Sequence, residues 1–183
     1  MLKAILARQI DRFERLWGYD AGYMRQLLAA SPGSFIRFGL VSGMVDAKAA
    51  PVSAVAAAKL VGTLAEDCGP CTQLVIDMAA AQGAPPDVLR ALLAGEEAAM
   101  GADAMLAWRF ARASLARDME AADPLRDEIV ARWGQAGLAA LGLALTTGRM
   151  YPTLKYALGH GKACSKITVG GVAAPVAPAP LAA

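Results

Sequence analysis

Alanine occupies 42 of the 183 positions, while Val, Ile and Thr together occupy 23. That ratio limits the fold more than any motif does. Alanine surrenders no side-chain entropy in a helix, whereas β-branched residues lose χ1 freedom there and populate strands. A chain so composed has little material for the core of a sheet, and the expected fold is all-α. An apolar share of 56% against 19% charged excludes a disordered chain. A length of 183 residues suits one domain with a sizeable core.

Start and stop signals divide the chain. Apolar periodicity predicts helices over Leu2 to Trp17, stopped by Gly18, and over Ala21 to Ala30, capped by Asp20. Ser31-Pro32 reads as an N-cap and first helical residue, opening a third helix to about Val45. Pro51 opens a fourth, with Val52, Val55, Ala56, Leu60 and Leu64 on one face. After a break at Glu66-Asp67-Cys68-Gly69-Pro70, the helical period resumes at Cys71 and runs to Gly83, with Asp67 as the expected cap. Pro85-Pro86 opens a short helix to Ala94, and a longer one is expected from Glu97 or Ala102 to Met119. Asp123-Pro124 repeats the start signal, for a helix to Trp133. The last helix spans Ala136 to Leu158, where Pro152 should kink or break it. The best strand candidate is Lys166 to Val169. Residues 1–169 thus read as a single helical domain, and the Ala/Pro-rich stretch 170–183 as a tail without structure.

Charge narrows the partners. Eighteen Lys and Arg against sixteen Asp and Glu are interspersed and leave a net charge of +2. No basic run resembles a nucleic-acid arm. No segment reaches the roughly 18–20 uninterrupted apolar residues of a membrane span. Arg8, Asp11, Arg12 and Glu14 interrupt any signal-peptide core. A cytoplasmic protein with neither nucleic acid nor membrane as partner is expected. Trp17, Trp108 and Trp133 read as core or subunit-interface residues. The Tyr151, Lys155, Tyr156 and Lys162 group reads as a solvated helix end, with an anion site as the alternative.

Cys68-Gly69-Pro70-Cys71 is the segment that carries chemistry. Two cysteines three apart at a helix start can bring their sulfurs to bonding distance, and the unpaired N–H groups there stabilise a thiolate. One thiolate attacks a peroxide or disulfide and the other resolves the product. Three readings stay open: a redox pair, two buried inert thiols, and a metal site. In the last, His160 and Cys164 would join Cys68 and Cys71 as a Cys3His zinc set. The same four residues occur in thioredoxin, but there they follow a strand within a βαβ unit, and here an Ala-rich helix precedes them.

From Pro51 to Leu93 the chain resembles the carboxymuconolactone decarboxylase/alkylhydroperoxidase D (AhpD)-like family. The resemblance rests on the Ala-rich helix Val52 to Ala65, the segment Glu66 to Cys71, the helix from Thr72 to Gln82, Gly83, and the short helix Asp87 to Leu93. It implies an AhpD-like helical bundle, assembled as a trimer or hexamer, that reduces hydroperoxides or a partner disulfide through Cys68 and Cys71 without a cofactor. An electron-donor protein would then re-reduce the pair. By family position Cys71 is the attacking thiol and Cys68 the resolving one. The family's relay histidine falls at Val75 and its relay glutamate at Ala56, so this branch lacks both. Glu66, two residues before Cys68, and His160, the only histidine, are the candidate substitutes. Cys164 is a candidate third redox thiol. The competing expectation is a non-catalytic oligomeric binding or scaffold protein with a vestigial dithiol.

Overall fold

The computed structural model describes residues 1–161 and 166–177. The described chain is all-α, as its alanine content predicts. It runs α1 (Leu2–Trp17), α2 (Gly22–Ala30), α3 (Pro32–Gly39), α4 (Val52–Ala65), α5 (Gly69–Ala81), α6 (Pro86–Ala94), α7 (Ala102–Ala116) and α8 (Met119–Ala157). Two short 3-10 turns (Leu40–Gly43 and Glu97–Ala99) and a hairpin of β1 (Thr168–Val169) and β2 (Val172–Ala173) complete it. No parallel sheet is present among the described residues.

Helix α4 is the centre. Ala54, Ala57, Ala58, Leu60 and Val61 are buried around its whole circumference, and α5, α7 and α8 pack against it. It lacks an amphipathic stripe because it has no solvent face. Small residues let α8 come close. A Cβ on Gly62 would lie 2.6 Å from the Leu145 carbonyl oxygen, and one on Gly148 would lie 2.5 Å from that of Lys59. The two glycines thus face each other's helices across one crossing. A second cluster joins α1 and α2 through Leu6, Ile10, Tyr19, Tyr23 and Leu28, with Leu74 of α5 and Leu154 of α8 packed beneath it.

Several boundaries differ from expectation. Ser31 caps α3 as predicted, its Oγ accepting from Ser34 N, but the helix ends at Gly39 and passes into the 3-10 turn rather than reaching Val45. Gly39 and Gly43 weaken the last turn there. Asp20 accepts from the Gly22 N–H at 2.9 Å, one residue before the assigned cap Ala21. Helix α8 begins at Met119, because Asp118 accepts from Ala121 N and caps it first. Pro124 therefore falls inside α8, at an exposed position where the carbonyl it leaves unpaired can turn to water. The expected break between Trp133 and Ala136 is present at Gly134, with φ 68° and ψ −176°. Pro152 does not break the helix. Gly148 on the α4 backbone and Lys155 beneath Tyr19 hold α8 through it.

The stretch after Gly170 is not a bare tail as far as Ala177. Gly170 and Gly171, at φ 61° and 79°, make the two-residue turn between β1 and β2, a conformation only glycine adopts at no steric cost. The Gln73 side chain grips Thr168, donating to its carbonyl and accepting from its N–H. Ala177 N then donates to Leu93 O at 2.7 Å. By length and composition alone α8 could cross a membrane; in the fold it packs on α4 and α7.

Candidate functional site

The α4–α5 junction is built by a reversal of the chain. Helix α4 ends at Ala65, and Asp67 turns the backbone with φ 49°, a left-handed conformation that Asp tolerates better than most residues. Cys68, not Asp67, is the N-cap of α5, and Pro70 occupies the first turn. Asp67 contributes its carbonyl instead, accepting from Tyr156 Oη at 2.8 Å. Cys68 and Cys71 therefore lie one turn apart at a helix start. Their Cα atoms are 5.3 Å apart and their sulfurs are joined as a disulfide.

Both cysteines are buried, at 3% and 4% exposure. Cys71, and not Cys68, lines a cavity of about 500 Å3 bounded by α1 to α5 and α8. This asymmetry marks Cys71 as the sulfur a small molecule can meet.

A residue that the sequence did not single out sits on that sulfur. The Tyr19 hydroxyl is 3.7 Å from Cys71 Sγ. Tyr19 comes from the turn between α1 and α2. It is fixed by the edge of Phe13, with ring centroids 5.8 Å apart, and by Lys155 Nζ, 5.2 Å from its own ring centroid. Burial pushes its pKa up to about 12, and a hydrogen bond donated by the Tyr23 hydroxyl opposes that rise. Tyr23, itself held protonated by burial, thus donates to Tyr19, leaving the Tyr19 proton for the sulfur.

The other candidates are elsewhere. Glu66 is clamped to α8: Arg149 Nε donates to its Oε1 at 2.7 Å and Thr153 Oγ1 to its Oε2 at 3.3 Å. His160 Nε2 pairs with Gln26 Oε1 at 2.7 Å beside Gly22. Neither lines the cavity. Val75 and Ala56 both do. Lys155 is buried rather than part of a solvated helix end, because the face of Tyr19 receives its ammonium. Trp108 is core, and Trp17 lines the cavity. Cys164 and Lys162 lie outside the described residues, among which no three His, Cys, Asp or Glu side chains gather as metal ligands.

Comparison with protein-family models, with curated proteins and with solved structures finds no match.

Proposed function

We propose that the chain is a thiol–disulfide oxidoreductase of the alkylhydroperoxidase D kind, acting on a hydroperoxide or disulfide admitted to the cavity. The observation that carries this reading is that Cys71, paired with Cys68, opens onto the cavity with a phenol hydroxyl beside its sulfur. In the reduced pair the Cys71 thiolate attacks one oxygen of a hydroperoxide and the O–O bond breaks. The departing alkoxide takes the Tyr19 proton, and Tyr19 regains the proton released when Cys71 ionised. Cys68 then attacks the Cys71 sulfenic acid, water leaves and the disulfide forms. One hydroperoxide and two thiols give an alcohol, water and a disulfide. A thiol reductant, as a cytoplasm supplies, returns two electrons.

The cavity supports the family resemblance in one respect. The two positions where that resemblance implies a relay pair, Ala56 and Val75, both face the space that Cys71 faces. Tyr19 is the proton donor that remains.

The test is a thiol titration with and without reductant, followed by hydroperoxide consumption. Reductant should raise the free-thiol count by two, and one equivalent of hydroperoxide should lower it by two. Cys71→Ser should abolish consumption, while Cys68→Ser should stop after one turnover with a trappable sulfenic acid. A pair that cycles with added oxidant and reductant but consumes no hydroperoxide or small disulfide supports the scaffold reading.

A further inference from the structure

The cavity has a chemical polarity of its own. Its volume lies within the roughly 300–1,000 Å3 of small-molecule sites. Phe13, Trp17, Phe35 and Phe38 make much of its wall. Among the described residues Lys59 is the single charged one on that wall, and no Asp or Glu shares it. Lys59 has no ion-pair partner among the described residues, and burial lowers its pKa. Three of the neutral hydroxyls on the wall are already committed to backbone carbonyls. Ser42 donates to Gly39 O, Thr63 to Leu60 O and Thr147 to Ala144 O. A ligand anion would find one cationic donor, at Lys59, beside the neutral Tyr151 hydroxyl and Gln82 amide. An ammonium taken from water without a counter-charge is costly, and a carboxylate removes that cost where a neutral group does not.

We propose that the cavity binds an apolar monocarboxylate, a fatty acid or its hydroperoxide, with the carboxylate on Lys59 and the chain among the aromatic side chains. That the hydroperoxide of such an acid is the substrate of Cys71 rests on the oxidoreductase reading; the binding does not.

The experiment separates the two. Linoleate and its methyl ester are titrated, below their aggregation concentrations, into the full chain in its disulfide form, and tryptophan fluorescence reports binding. The parent should prefer the acid over the ester by about tenfold or more, the scale of one charge-assisted hydrogen bond. Lys59→Arg should keep the preference. Lys59→Met should bring the ratio near unity while still binding the ester, which shows that the cavity is intact. Equal affinity for acid and ester in the parent, a preference that survives Lys59→Met, or no binding of either overturns the proposal. Turnover is then compared between linoleic acid hydroperoxide and the neutral cumene hydroperoxide. Acid-selective binding with neither consumed overturns hydroperoxide reduction and the substrate role, and leaves the binding site standing. Faster turnover of the acid, lost in Lys59→Met alone, supports both.

Discussion

A phenol 52 residues away in sequence takes the place beside Cys71 that a nearby base would be expected to fill. Removing its hydroxyl should therefore matter more than removing either candidate that sequence proximity suggested. Tyr19→Phe is expected to slow hydroperoxide reduction by about 10²-fold, within the usual range for acid–base help, without changing the thiol count. Stopped-flow consumption beside thiol titration checks this. Glu66→Gln should leave that rate and its pH profile unmoved. It should cost no more than about 1 kcal/mol of stability, because Arg149 is half exposed and the pair is screened by water. Val75→His places an imidazole on the cavity wall in the same helix as Cys71, and a raised rate near neutral pH is the expected outcome.

At the scale of helices, the reciprocal approach of Gly62 and Gly148 sets the α4–α8 crossing that carries Lys59, Thr63 and Tyr151 to the cavity. Gly62→Ala or Gly148→Ala must push backbone from backbone, so each should destabilise the fold by about 1–3 kcal/mol. A melting temperature lower by roughly 2–4 °C per kcal/mol would show it. The helices themselves were largely legible. Ser31-Pro32, Pro86 and Gly134 act locally, and local chemistry is what a sequence displays. Asp123-Pro124 misled because the same signal is valid wherever the chain first caps, and Asp118 comes sooner. Asp67 misled because its backbone, not its side chain, does the work. In the site, Cys68 and Cys71 were legible from their spacing. Tyr19 was not, since nothing in its neighbourhood says that the α1–α2 turn folds over α5. The pairing of Glu66 with Arg149 likewise depends on a contact 83 residues distant.

For the whole molecule, three of the four tyrosines hold their protons above the ordinary value of 10: Tyr19, Tyr23 and Tyr151, each through burial. The unfolded chain loses these protons near pH 10 while the folded one keeps them. Their contribution to stability is therefore complete below about pH 10 and declines as pH rises toward 12. Tyrosinate absorbance should lag the ordinary titration, and helical circular dichroism should be lost in the same window. Leu2, Ile5 and Leu16 of α1 stay exposed. We expect a homo-oligomer, a trimer or a hexamer, on the family resemblance, and light scattering that returns a monomer at micromolar concentration would contradict it.

The burial of the disulfide also makes the molecule a sieve. A sulfur must be approached along the S–S axis for exchange, and here Cys71 is buried and meets open space at a cavity of about 500 Å3. A bulky reductant would have to wait for α1 to α3 to breathe away from α5, so its rate would plateau at the frequency of that opening, however concentrated it became. A slim dithiol such as dithiothreitol should instead show a rate that climbs in proportion to its concentration. Traffic through this protein would thus be sorted by girth before it is sorted by redox potential.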